Sequence, residues 1–242
     1  MKTIIFFKQG GIAMKKLGLV GGMGPVSTID YYQRLVAGFQ KKYPVACPPI
    51  IIDSLDVFKL LKLEEANQRT QLIKILQASL TNLAAAGAQY AALTANTPHM
   101  IFSELAAVSP IPLISILDPV CQAIHQKGQK KVALLGTKMT MELPFYSQKL
   151  AAAGIEAVIP QSEQITVIQQ IIATELERGI VKPESKQTLL KIIANLTQEY
   201  NIEGVILGCT ELPLILKQAD CQLTIYDTVE LHINQLLKQM FN

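Results

Sequence analysis

Short apolar runs and longer amphipathic stretches alternate along this chain of 242 residues. An apolar run bounded by turn residues predicts a buried strand, and apolar residues recurring every three or four positions predict a helix lying on it. In the first half, Leu17–Val20, Ile50–Ile52, Tyr90–Leu93 and Leu113–Leu117 read as strands. Between them, 27–40 and 64–86 read as helices. The second carries Leu72, Ile75, Leu76, Leu80 and Leu83 on one stripe and closes at Gly87. Asp118-Pro119 predicts the start of another helix, with an N-cap side chain and a first-turn proline. In the second half, Val132–Leu135, Ala157–Ile159, Val205–Leu207 and Leu223–Tyr226 read as strands. Helices over 141–153, 164–177 and 183–200 separate them, and a last helix follows Asp227-Thr228. Strict β/α alternation predicts an α/β fold with parallel sheets covered by helices on both faces.

The two halves resemble each other. Gln129–Gly136 reads like Lys15–Gly22, and Ile202–Glu211 reads like Ala88–Thr97. The same spacing separates Gly22 from Gly136 and Ala95 from Cys209, which points to an internal duplication. The expected organisation is an extension over 1–13, a first lobe over 14–117 joined by the C-terminal helix 228–242, and a second lobe over 118–227. Two such lobes related by a pseudo-twofold axis would place the active site in the cleft between them, beyond the carboxyl ends of the strands.

Composition narrows the class. Half the residues are hydrophobic and Trp is absent, so the core is built from Leu, Ile, Val and Ala. The net charge of +3 comes from scattered lysines and arginines, which gives no nucleic-acid footprint. The run Thr3–Phe7 after Lys2 is broken by Lys8, Gln9 and two glycines, too short for a signal peptide, so 1–13 is expected to be loose. No apolar run reaches membrane-spanning length, and no membrane partner is expected. Cys47, Cys121, Cys209 and Cys221 show no C-x-x-C spacing, which fits reduced thiols in a cytoplasmic protein. The three histidines do not cluster with them, and no metal site is expected.

Candidate chemistry sits in the loops after strands. Cys209, in Gly208-Cys209-Thr210-Glu211, follows an apolar strand at a turn whose backbone N–H groups can hold an anion. It is either a reactive thiol or a buried structural one. Asn96 and Thr97 follow the matching strand of the first half, as carboxylate holders or as plain helix caps. His99 orients a neighbour or lies on a helix surface. Gly22-Met23-Gly24-Pro25-Val26-Ser27, with Asp53 ending the next strand, is a weak dinucleotide signature that lacks its third glycine.

The turn Gly21–Pro25, Asn96-Thr97-Pro98-His99, Leu135-Gly136-Thr137 and Gly208-Cys209-Thr210-Glu211 together resemble, in order and spacing, four signature loops of the cofactor-independent aspartate/glutamate racemase family. The resemblance covers about residues 14–240, and glutamate after G-C-T is similar to the aspartate racemase branch. It implies a racemase that needs no pyridoxal phosphate or other cofactor. Two thiols flank the substrate α-carbon, one removing its proton and the other returning one to the opposite face. It implies Cys209 as a catalytic thiol and Met23, Gly24, Asn96, Thr97, Thr137, Thr210 and Glu211 as substrate-binding positions. The partner is then a small amino acid or carboxylate, and the assembly a homodimer.

The chain departs from the family pattern twice. The first-lobe catalytic position is Ala95, which has no proton to give, leaving neighbouring Thr94 or a bound water as the substitute. No Lys or Arg occurs from Leu150 to Glu177, where aspartate-specific members carry a lysine, and Lys59 stands in loosely for their arginine. A single-thiol decarboxylase or lyase of the same superfamily, similar to arylmalonate decarboxylase, and a carboxylate-binding pseudoenzyme are the competing readings.

Overall fold

The structure, a computed structural model, describes residues 7–9, 12–66 and 68–241. A short antiparallel hairpin of β1 (Phe7–Gln9) and β2 (Ile12–Met14) comes first. It is followed by β3 (Leu17–Gly21), α1 (Pro25–Gln40), β4 (Ile50–Ser54), α2 (Val57–Glu65), α3 (Arg69–Ala85), β5 (Tyr90–Leu93), α4 (Phe102–Val108) and β6 (Leu113–Ile114). The chain continues through α5 (Leu117–Gln126), β7 (Lys131–Leu135), α6 (Lys138–Glu142), α7 (Pro144–Ala152), β8 (Glu156–Val158), α8 (Ser162–Thr174), α9 (Pro183–Tyr200), β9 (Gly204–Leu207), α10 (Leu212–Ile215), β10 (Thr224–Asp227) and α11 (Thr228–Phe241). Among the described residues no helix is long and apolar enough to cross a membrane.

The strands form two four-stranded parallel sheets with the orders β4-β3-β5-β6 and β8-β7-β9-β10. Each sheet therefore runs second strand, first, third, fourth. The positions that repeat in the sequence fall at matched places: Gly22 and Gly136 directly follow β3 and β7, and Ala95 and Cys209 stand two residues beyond β5 and β9. The chain divides into two compact units, residues up to Ser115 together with those from His232 onward, and Ile116–Leu231.

In the first unit, β3 is buried along its whole length, and Leu72, Leu76, Leu80 and Leu83 of α3 form a buried stripe against the sheet. Full burial of such a side chain stabilises the fold by about 1.5–3 kcal/mol, which is why the stripe forces α3 onto the sheet. From His232 onward, α11 is held here by polar bonds inside an apolar setting. The Tyr90 hydroxyl donates to Leu236 O (3.0 Å) and the Tyr31 hydroxyl bonds His232 Nδ1 (2.9 Å). His232 Nε2 lies 3.2 Å from Ile114 O, a carbonyl, so Nε2 carries the proton and Nδ1 accepts from Tyr31. In the second unit, Ile165, Ile168, Ile172, Leu189 and Leu196 of α8 and α9 cover one face of the sheet, and Val120, Ile124, Tyr146 and Leu150 of α5 and α7 cover the other.

Several elements differ from expectation for local reasons. The helix expected over 64–86 begins only at Arg69, and its first residues belong to α2, which Asp56 caps by accepting from Phe58 N (3.0 Å) and Lys59 N (3.4 Å). The helix expected over 141–153 is broken at Leu143, whose ψ of 143° is the extended conformation that a following proline imposes. Asp118 is not an N-cap: α5 begins at Leu117, and the Asp118 carboxylate pairs with Lys149 Nζ at 2.6 Å. The strand expected over 113–117 stops at Ile114. Of the extension expected over 1–13, Phe7–Gln9 pairs with Ile12–Met14, while 1–6, 10 and 11 lie outside the described residues.

Candidate active site

The candidate residues of the first unit gather at the carboxyl end of its sheet. Met23 and Gly24 lie in the turn after β3; Thr94, Ala95, Asn96 and Thr97 follow β5, which neighbours β3. The turn after β3 is shaped by Gly22: its φ is +81°, and a Cβ there would lie 2.1 Å from Leu55 O. Only glycine allows both the positive φ and that approach. Lys59 is exposed on α2, the helix after the edge strand β4.

The Thr94 hydroxyl has a structural post. It is fully buried, donates to Val20 O (3.2 Å) and bonds Thr28 Oγ1 (3.2 Å), while Thr94 O accepts from Ser27 Oγ at 2.8 Å. Thr28 Oγ1 in turn accepts from Gly22 N at 2.9 Å. Thr94 thus ties the turn after β5 to the glycine turn. Ala95 offers a methyl group, and its carbonyl accepts from His99 Nδ1 at 3.1 Å. His99 is buried and stacked on Phe102 with ring centroids 5.1 Å apart, so it orients the Ala95–Asn96 turn. Asn96 is buried, and Thr97 begins the 3₁₀ turn Thr97–Ile101.

The second unit brings together Thr137, Cys209, Thr210 and Glu211. Thr137 caps α6, accepting from Thr140 N at 3.2 Å. Gly208 allows β9 to end against β7: its N–H donates to Leu135 O, and a Cβ would lie 3.0 Å from the same oxygen. The Cys209 thiol is buried and donates to Glu211 Oε2 at 3.0 Å, and the Thr210 hydroxyl donates to the same oxygen at 2.7 Å. Glu211 is only 6% exposed, so these bonds replace much of its lost hydration. Burial pushes the Cys209 thiol well above its ordinary range, and the Glu211 carboxylate beside it adds to that effect. The resting group is therefore the neutral thiol, hydrogen-bonded to a buried carboxylate. Sequence reasoning missed Glu177, whose carboxyl is raised above its ordinary range by partial burial and then by the Glu211 charge; it falls within a stretch read as ordinary helix.

Strand order, matched turns and a buried thiol–carboxylate pair at the end of a central strand define a two-lobed α/β protein. The chain belongs to the Asp/Glu/hydantoin racemase family, whose model matches residues 20–236. It is 35% identical to an aspartate racemase homologue from Pyrococcus horikoshii OT3, with a TM-score of 0.83 over 95% of this chain and 100% of that one. A broad specificity amino-acid racemase from Bacillus subtilis is 24% identical over 88% of this chain and 92% of its own length. The fold is shared with an aspartate racemase from Picrophilus torridus, at a TM-score of 0.74 and 21% identity over 93% of this chain and 94% of that one.

Proposed function

We propose that the chain is a cofactor-independent amino-acid racemase acting on an aspartate- or glutamate-like substrate, with Cys209 as its thiol acid/base. The observation that supports this most is the Cys209 Sγ–Glu211 Oε2 hydrogen bond of 3.0 Å, in a chain of this family. Glu211 takes the thiol proton, and the thiolate then takes the substrate's α-proton; reversal delivers a proton to the same position. Donors aimed at the α-carboxylate lower the cost of the developing carbanion. Asn96, Thr97, Thr137, Thr210 and the backbone at Met23 and Gly24 are proposed for that role, and Lys59 for the side-chain carboxylate. Thr94 is left out of the acid/base roles because its hydroxyl is committed within the fold. The opposite-face proton then comes from bound water.

A second reading follows from Ala95. With a methyl group at the first-lobe position, a decarboxylase or lyase needing one thiol also accounts for the geometry, and a carboxylate-binding pseudoenzyme needs no second donor at all. The protein is further proposed to be a homodimer. Val26, Ile29 and Tyr32, exposed along one face of α1, support self-association, which light scattering tests.

Proton NMR in deuterium oxide with L- and D-aspartate and glutamate separates the readings. The racemase reading expects loss of the α-proton signal with inversion, and a drop of at least about a hundredfold in Cys209→Ser. Exchange without inversion supports the one-thiol reading. No exchange with any of the four overturns both amino-acid readings.

A further inference from the structure

In the second unit β7 and β9 pair in parallel and end together, at Leu135 and Leu207, and a glycine follows each. Gly136 and Gly208 abut: a Cβ on Gly136 would stand 3.1 Å from the Gly208 carbonyl carbon. Thr137 and Cys209 come next along the two segments. One side chain covers both glycines. Thr140 of α6 is fully buried, and its Cγ2 lies 3.0 Å from where a Cβ on Gly136 would stand and 3.1 Å from where one on Gly208 would. The methyl group thus fills the hollow that two absent side chains leave, against the backbone that leads into Cys209.

The other branch of Thr140 is a hydroxyl with one partner among the described residues, Thr137 Oγ1 at 3.0 Å. A buried hydroxyl proton needs an acceptor, so Thr140 donates. Thr137 Oγ1 also accepts from Thr140 N at 3.2 Å, which occupies both of its lone pairs. The hydroxyl hydrogen of Thr137 is then left over, on a half-buried side chain. It suits a group that can only accept, such as a carboxylate oxygen. The first unit uses a similar threonine differently. Thr28 Cγ2 lies 2.6 Å from where a Cβ on Gly21 would stand, but the Thr28 hydroxyl is bonded to Gly22 N and Thr94.

We propose that Thr140 is the positioning residue of the second-unit site: its methyl group holds the turn that carries Cys209, and its hydroxyl turns the Thr137 proton outward as a donor to a ligand carboxylate. The proposal rests on the reading of Cys209 and Thr137 as site residues. Thr140 is sealed inside the fold and acts only through Thr137 and Gly208.

Two small substitutions separate the two branches. Thr140→Val keeps the methyl group and removes the hydroxyl; Thr140→Ser keeps the hydroxyl and removes the methyl group. Circular dichroism checks that each variant is folded. The first readout needs no substrate: the rate at which iodoacetamide labels Cys209 at fixed alkaline pH, followed by peptide mass, with the exposed Cys47 as internal standard. Thr140→Ser is expected to be labelled at least about threefold faster at Cys209, with Thr140→Val within about twofold of wild type and Cys47 unchanged. A Thr140→Ser rate equal to wild type, or the same acceleration in Thr140→Val, overturns the proposal whatever the substrate is. The second readout is kcat/KM for α-proton exchange in deuterium oxide with L- and D-aspartate and glutamate. Thr140→Val and Thr137→Val are each expected to lose about tenfold, and the double variant no more than about twofold further, because one hydroxyl acts through the other. Undiminished exchange in Thr140→Val, or a double variant down by about a hundredfold, overturns the proposal. If the wild type exchanges no proton of any of the four, the racemase reading fails, and the labelling result alone decides whether Thr140 positions the Cys209 turn.

Discussion

The turn after β5 and the turn after β9 occupy the same place in two sheets of the same strand order, yet only the second carries ionisable groups. Position by position, Thr94, Ala95, Asn96 and Thr97 correspond in the sequence repeat to Gly208, Cys209, Thr210 and Glu211. In the first turn the leading residue is a threonine whose hydroxyl stitches two turns together. In the second it is a glycine, which lets the backbone press against β7 and brings the thiol beside a carboxylate. One scaffold thus uses equivalent positions for cohesion in one unit and for a buried thiol–carboxylate pair in the other.

The strongest way to break that contrast is to make the turns alike. Ala95→Cys restores a thiol at the first-lobe position and is expected to raise inversion of the substrate by at least about a hundredfold, read by circular dichroism. No gain, with the fold intact, would remove the equivalence of Ala95 and Cys209 from the argument. Next in size is Gly22→Ala, which puts a Cβ at 2.1 Å from Leu55 O on a residue with φ of +81°. A loss of about 3 kcal/mol or more is expected in denaturant unfolding, and a loss under about 1 kcal/mol would show that the turn relaxes.

A third prediction concerns pH. Burial, assisted by the nearby His99, pushes His232 down to about 3 from an ordinary value near 6.5. The unfolded chain takes up a proton below about 6.5 that the folded chain refuses until far lower pH. Stability from the neutral imidazole is complete above the unfolded value and drains away as pH falls toward the folded one, by a few kcal/mol in all. Thermal melts between pH 7 and 4 should show this slope. His232→Gln should be less stable at pH 7 yet flatter toward acid, and an unchanged slope would assign the acid sensitivity elsewhere. The smallest expected effect is that of Thr94→Val, which removes the hydroxyl at nearly constant volume. A loss of about 1–2 kcal/mol is expected because Val20 O and Thr28 lose their bond to it, with α-proton exchange kept within about threefold. Abolished exchange in a stable Thr94→Val protein would return Thr94 to the acid/base machinery.

Much of the fold was legible because its signals are local. The stripe Leu72, Leu76, Leu80 and Leu83 and the strand Tyr90–Leu93 announce themselves by period and composition. Less visible were boundaries set by single side chains, such as the cap from Asp56 that begins α2, and the break before Pro144. Of the candidate site, the turns themselves and Cys209 were readable because they follow apolar strands at repeated spacing. The state of each group in them was not.

The sequence by itself determined the β/α alternation, the repeat and the turns that carry polar residues, since each depends on neighbours along the chain or on a fixed offset within it. Tertiary structure alone decided that the Thr94 hydroxyl is spent on Val20 and Thr28 and that Cys209 is held as a neutral thiol. Burial and the charge of groups far away in sequence control hydrogen bonding and proton affinity, and both exist only once the sheets and helices have packed.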